Sequence, residues 1–452
     1  MRACRGSLCP EVPRVLASGL VMLLLFSQVV LAAPPRVMKA APDNGDCDID
    51  PALKQLRIEF DQDMNPGGMS ICGAQGLDIT GKPRWANKRT LIVPVKLKPG
   101  QKIELSVNCP SAQNFKSAAG ESAEIYPITF EVRKAGAKPA PPLPADEKRE
   151  AVSRLRKAID ERYSYRDRLS IDWDARFDEF APKLAAAKNW SEFARTTAEL
   201  LSAAEDPHIW LTLGDQTIGT HQRQVEPNFN ARLLPKLVPG WKLHNRAVAT
   251  GRFEDGIGYV LIATWSIQDE ADLQPAIDAL REFADAPGIV LDVRANGGGS
   301  ELLARKIAGC FLEKPTPYAR NVIRDPALPG GFSKVFDRVV EPCEPAVKAP
   351  VAVLMGPKNM SSCESFLMMM AEAPRATLVG GPSYGSSGNP KPHELAEGLM
   401  VFLPSWKDMQ LDGSLHEGNP LNPDVEVQAS PADFASGDPV LERALELLRS
   451  AK

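Results

Sequence analysis

The sequence predicts a multidomain chain: a small all-β sandwich, then a helical segment, then an α/β core of βαβ units. Three observations predict it. The chain has 452 residues, more than one ordinary domain holds. Residues 34–133 are short alternating or β-branched runs with turn residues between them. From residue 257 onward, apolar strand-like runs alternate with stretches of helical periodicity.

The elements follow in order. Residues 1–33 read as a secretory leader: Arg2, Arg5 and Arg14 give a basic start, residues 15–31 are almost wholly apolar, and small residues precede Pro34. Export to a bacterial periplasm or the exterior is the expectation, with membrane contact only through an uncleaved leader. In residues 34–133, LRIEF (56–60), TLIVPV (90–95), KIELSV (102–107) and YPITFEV (126–132) supply the sandwich strands. Residues 134–146 are Pro/Ala-rich and read as a semi-rigid linker. In residues 147–205, Val152, Leu155 and Ile159, then Phe193, Thr197, Leu200 and Leu201, recur at helical spacing. Pro207 ends this segment, and His208 follows it. The core starts with a strand at 257–265. An amphipathic helix through Leu273, Ile277, Leu280 and Phe283 comes next, then a strand at 288–294 and the Gly-rich turn NGGG. A long loop is expected over roughly 314–348. Strands at 351–355, 376–380 and 398–404 complete the core.

Composition narrows the function classes. Hydrophobic residues make up 44%, enough for a real core. The net charge is −4, and removing the leader takes it to about −6, so there is no electrostatic case for nucleic acid. No GxGxxG or Walker sequence is present, and the cysteines show no CxxC spacing, so neither a nucleotide cofactor nor a metal is expected. Six of the eight cysteines lie beyond the leader. In an exported protein some pair as disulfides. Cys310–Cys343 and one pair among Cys47, Cys72 and Cys109 are the expectation.

Chemistry is concentrated in VAVLMGPKNMSSCE at 351–364. A buried strand stops at Gly356-Pro357, and Ser361, Ser362, Cys363 and Glu364 open an apolar helix. A helix N-terminus offers free N–H groups and positive potential to a developing oxyanion. On this reading alone, Ser361, Ser362 and Cys363 are all candidate nucleophiles. The second motif is LDVRANGGGS at 291–300, with Asp292, Arg294, Asn296, Gly298 and Gly299. Glycines there let the backbone approach a substrate carbonyl.

Together these motifs resemble the tail-specific (C-terminal processing) and tricorn-core serine peptidases, over roughly residues 148–430. The resemblance implies a crotonase-like fold and a Ser-x-x-Glu block whose nucleophile is Ser361. It implies an oxyanion hole made by the N–H of Ser362 and of Gly298 or Gly299. In the Ser–Lys branch a lysine falls about 25 positions after the serine; here that position is Ser386, and the nearest lysine is Lys391. Of the five histidines, His208 in DPHIWL matches the histidine of the tricorn-like branch. Glu417 in HEGNPLNPD matches its acid, and His416 is the weaker alternative base. In the tricorn-like branch a second serine precedes the histidine; here Pro207 stands there. The helical part of the peptidase would be 147–214 and its core 215–452. Residues 209–256 are too short for the PDZ domain this family often inserts. Residues 35–66 resemble the opening of bacterial Ig-like domains, which implies a spacer module. The function implied is an exported serine endopeptidase that acts on peptides or unfolded protein without cofactor. The alternative is a catalytically inactive peptide- or lipid-binding protein on the same scaffold, with Met360 and Met368 to Met370 lining its pocket.

Overall fold

The computed structural model describes residues 34–138 and 142–450. The expected leader lies outside the described residues, as does part of the expected linker. No described helix is long and apolar enough to cross a membrane. The chain divides into two compact units, residues 1–139 and 140–452.

Among its described residues the first unit holds nine strands: β1 (Val37–Ala41), β2 (Asp46–Ile49), β3 (Gln55–Phe60), β4 (Ile71–Cys72), β5 (Asp78–Ile79), β6 (Arg84–Asn87), β7 (Thr90–Lys96), β8 (Lys102–Val107) and β9 (Tyr126–Val132). One sheet runs β1-β3-β7-β5 with β6 also on β7; the other runs β2-β9-β8-β4. Alternation decides the packing. Leu56, Ile58 and Phe60 on β3 and Ile103, Leu105 and Val107 on β8 turn inward into one core, while their neighbours stay at or near the surface. A disulfide joins Cys72 to Cys109; Cys47 is a free thiol.

The second unit opens with α1 (Ala145–Arg162), α2 (Trp173–Ala186) and α3 (Trp190–Leu201). Asp172 and Asn189 cap α2 and α3 by accepting the N–H of Ala175 and Glu192. These helices pack on a four-stranded sheet, β11-β10-β21-β20, made of β10 (Trp210–Leu213), β11 (Gln216–Gly219), β20 (Pro390–Ala396) and β21 (Leu399–Pro404). A short helix, α4 (Leu234–Leu237), follows β11.

The central sheet has seven strands: β12 (Lys242–Leu243), β13 (Val248–Arg252), β14 (Gly258–Ile262), β15 (Ile289–Asp292), β18 (Val351–Met355), β19 (Ala376–Gly380) and β23 (Val425–Glu426), in that spatial order. From β14 to β23 every pair is parallel. β14 and β18 are apolar and buried throughout because both faces of the sheet are covered there. Leu291, Val351 and Val353 face α5 (Gln274–Glu282), α6 (Glu301–Ala308) and α7 (Ser362–Ala371). Val290, Ala352 and Leu354 face α8 (Pro439–Ser450).

Two expectations are corrected. The stretch expected as a long loop contains a hairpin, β16 (Thr316–Ile323) with β17 (Phe336–Val340), and β16 also pairs with β22 (Trp406–Met409). Prolines and charges mask its alternation, because its edges face solvent. Cys310 and Cys343 are not bonded; both are free thiols, although the Cys343 N–H donates to the carbonyl of Gly309 beside Cys310.

Asp292 and Arg294, from the motif that leads into the Gly-rich turn, fasten α8 to the sheet. Arg294 is fully buried and donates to Asp292 at 2.7 Å and to both oxygens of Asp438 at 2.8 Å. Tyr259 adds its hydroxyl to Asp292 at 2.8 Å. Arg294→Ala would strand two buried carboxylates. We expect it to lower the stability of the second unit by about 3–5 kcal/mol in urea unfolding; a loss under about 1 kcal/mol would show that the cluster contributes little.

Candidate active site

The strand-turn-helix at β18 and α7 positions Ser361. Asn359 shapes the turn: its Oδ1 accepts the Gly356 N–H at 2.7 Å, and its Nδ2 donates to the carbonyls of Val293 at 2.6 Å and Asn296 at 3.1 Å. The turn is thereby clipped to the Gly-rich loop that follows β15. Ser361 then adopts φ 60° and ψ −128°. A positive φ in a non-glycine residue costs on the order of 1–3 kcal/mol and needs surrounding contacts to persist. Two contacts hold it: the Ser361 N–H donates to the Ser386 carbonyl at 2.9 Å and to Glu364 Oε2 at 3.2 Å. The next residue, Ser362, is the first of α7, where backbone N–H groups have no helical partner. Cys363 is buried in the core, and burial together with the Glu364 charge pushes its thiol well up. That overrides any lowering by the helix terminus and leaves it a packing residue.

The glycines of the loop lie against this turn. Gly298 has φ +109°, and a Cβ there would come within 2.8 Å of the Met360 carbonyl and 3.0 Å of Ser361 Cβ. Gly299 has φ +133°, and a Cβ there would strike the backbone of Trp265. Asn296 Oδ1 takes the Gly298 N–H at 2.9 Å, so that donor is committed. Asn296 also donates to the Ile262 carbonyl at 3.2 Å, which fixes the loop on β14.

Glu364 is fully buried one turn into α7. Its carboxylate accepts the N–H of Ser361, of Gly385 at 2.6 Å and of Ser386 at 3.0 Å, together with the Ser383 hydroxyl. His416 Nε2 lies 3.1 Å from Glu364 Oε2. Burial alone would raise this carboxyl, but His416 and the donors hold it below its usual range. The same pair works in reverse on His416. Burial would lower its imidazole, and Glu364 lifts it above the ordinary histidine value. His416 is therefore engaged by Glu364.

His208 arrives from the loop after α3. It is buried, and its Nδ1 meets Ser386 Oγ at 3.0 Å. Ser386 Oγ donates to Glu417 Oε2 at 2.9 Å, and the Ser387 N–H reaches the same oxygen at 2.9 Å. The imidazole and the acid thus meet through a serine hydroxyl. His208 Nε2 is buried with no hydrogen-bond partner. Burial pushes His208 below the ordinary histidine value, against the pull of Asp206. Burial, then the Asp206 charge, pushes Glu417 up to about 8. Ser386 is the meeting point: its carbonyl holds the Ser361 backbone, and its hydroxyl holds His208 and Glu417.

Two groups were missed in the sequence. One is Asp206, two positions before His208; the other is the full reach of Glu364. Lys391, the nearest lysine to the family position, lies on β20. Met369 and Met370 are core residues. Met368 borders a cavity of about 440 Å³ lined by Leu367, Leu378, Leu411 and Leu421 among others. Among the described residues no cluster of side chains is arranged to hold a metal.

Residues 256–427 match the profile of Peptidase family S41. This span contains β15, the Gly-rich loop, Ser361, Ser386 and Glu417, whereas His208 lies upstream of it. Two curated relatives are carboxy-terminal processing proteases of Bacillus subtilis (strain 168). CtpB is 24% identical over 191 residues, 42% of this chain and 38% of CtpB. CtpA is 26% identical over 175 residues, 39% of this chain and 36% of CtpA. The chain matches less than two fifths of the length of either. Among solved structures, a putative peptidase from Parabacteroides merdae ATCC 43184 superposes with TM-score 0.58 at 24% identity, over 67% of this chain and 96% of that one. Mature CPAF superposes with TM-score 0.51 at 11% identity, over 67% of this chain and 97% of that one. These likenesses to solved structures bear on the fold alone.

The Glu364–His416 pair sets a pH dependence of stability. A histidine raised in the folded state contributes fully below its unfolded value, about 6.5. That contribution is lost as pH rises through the higher folded value. The drop in Tm caused by His416→Gln should therefore be largest near pH 6 and shrink on the alkaline side. A drop that is flat from pH 5 to 9 would contradict the pairing.

Proposed function

We propose that the second unit is a serine endopeptidase on a crotonase-like, PDZ-lacking scaffold, exported to the bacterial envelope and acting on peptides or unfolded segments. The observation that carries this reading is the convergence on Ser386, which is bonded to the backbone of Ser361 and to the ring of His208. The S41 match over residues 256–427 supports it.

In this reading the Ser386 hydroxyl proton goes to Glu417, so His208 carries its proton on Nδ1 and leaves Nε2 as the base. Ser361 Oγ attacks the scissile carbonyl as Nε2 takes its proton. The tetrahedral oxyanion is held by the N–H of Ser362 and of Gly299, since the Gly298 N–H is already committed to Asn296. Nε2–H then protonates the leaving amine, the C–N bond breaks, and an ester to Ser361 remains. Water, deprotonated by the same nitrogen, hydrolyses the ester and restores Ser361. Ser386 stands where a Ser–Lys enzyme would carry its lysine, and here it joins base to acid instead. The first unit acts as an Ig-like spacer.

Ser361→Ala should abolish hydrolysis of a denatured protein substrate, by at least about 10⁴-fold, with the thermal transition preserved. Unchanged turnover would overturn the assignment. The acid limb of kcat/KM should fall below the ordinary histidine range, because burial lowers His208. A limb at or above pH 7 would contradict His208 as the base.

A further inference from the structure

Asp206 stands outside this relay, yet its carboxylate is buried and turned toward the same imidazole. Its Oδ1 accepts the His208 backbone N–H at 2.9 Å and lies 3.9 Å from His208 Nδ1. Its Oδ2 accepts the Tyr163 hydroxyl at 3.0 Å. Both partners are donors.

The direction of the hydrogen-bond chain gives this placement its meaning. Ser386 has one hydroxyl proton. While Ser386 donates to an ionised Glu417, His208 must hold its proton on Nδ1, and Nε2 is free to act as base. If Glu417 is protonated, the chain can run backward. Glu417 then donates to Ser386, Ser386 donates to Nδ1, and Nε2 carries the proton and cannot accept one from Ser361. Burial and the neighbouring Asp206 push the Glu417 carboxyl up to about 8, which favours its protonated form. A relay that depended on Glu417 alone would then be set the wrong way round.

We propose that Asp206 is a positioning residue for the same reaction: its carboxylate, 3.9 Å from His208 Nδ1, keeps the proton on that nitrogen and stabilises the imidazolium. This rests on the Ser361–His208 reading above. The other charged groups that act on His208 or Glu417 are engaged elsewhere. Glu364 pairs with His416, Asp408 with Arg338, and Arg168 donates to the carbonyls of Ala204 and Glu205. Among the described residues no lysine or arginine pairs with Asp206, and its carboxylate faces His208 and the Tyr163 hydroxyl.

The test is Asp206→Asn, which keeps an oxygen for the His208 N–H, removes the charge, and puts an amide donor opposite the Tyr163 hydroxyl. Glu417 is followed by ¹³C NMR of its carboxyl in a Ser361→Ala background, independently of turnover. Its ionisation should fall by about one pH unit or more when Asp206 is replaced, as for coupled groups. In the active chain, kcat of Asp206→Asn should drop roughly 10- to 100-fold one pH unit below that measured ionisation, part of the 10²–10⁴-fold that acid–base catalysis supplies. It should recover to within about threefold of the parent at pH 9, where Glu417 is charged, with KM unchanged. Asp206→Glu should restore the parental profile. An equal loss at every pH would mark a merely structural role and overturn the proposal, as would an unmoved Glu417 titration. If the titration moves but the parent shows no Ser361-dependent turnover, the peptidase reading fails, and the catalytic role of Asp206 falls with it.

Discussion

The site depends on one buried carboxylate. Glu364 lies inside the second unit, at the start of the helix that carries Ser361. Removing a carboxylate from water costs several kcal/mol unless its lone pairs are filled. Here three backbone N–H groups and a hydroxyl bond to them, and the His416 imidazole lies 3.1 Å away as an ion-pair partner. Those donors come from three chain segments far apart in sequence: the turn at Ser361, the loop 383–386 and the loop at His416. Satisfying one charge therefore fixes the relative position of all three. The positive φ of Ser361 is one consequence, since its N–H must reach both Glu364 and the Ser386 carbonyl.

The sheet does the rest. β15 and β18 are adjacent and parallel, so their C-terminal ends release the Gly-rich loop and the Ser361 turn side by side. Open α/β sheets place their sites at the carboxyl ends of strands for this reason. Asn359 makes the junction rigid by donating to both Val293 and Asn296. His208 comes from outside this sheet, on the loop between α3 and β10, and reaches the site through the Ser386 hydroxyl.

Much of this was legible in the sequence. Val351 to Met355 reads as a doubly covered strand because it has no polar residue, and the structure buries it on both faces. The glycines at 298 and 299 read as a close backbone approach, and the space around them leaves no room for a Cβ. What stayed hidden has a common cause: each case depends on a partner with no fixed sequence spacing. Asp438, 144 residues from Arg294, carries no local signal of its role. The hairpin at 316–340 was hidden because one of its partners, β22, lies some 85 residues further on and its edges are polar. Asp206 could have been suspected from Asp-Pro-His alone. Its meaning appears only once Glu417 is seen to reach the histidine through a serine rather than directly.

Covalent labelling reaches the central claim most directly, because it asks whether the strained serine at the head of α7 is activated. The intact protein is treated with a fluorophosphonate and the adduct is mapped by peptide mass spectrometry. The arrangement requires one adduct per chain, on Ser361, formed at a rate that falls when His208 is replaced. A chain that stays unlabelled, or an adduct on Ser362 or Ser386 instead, would contradict it.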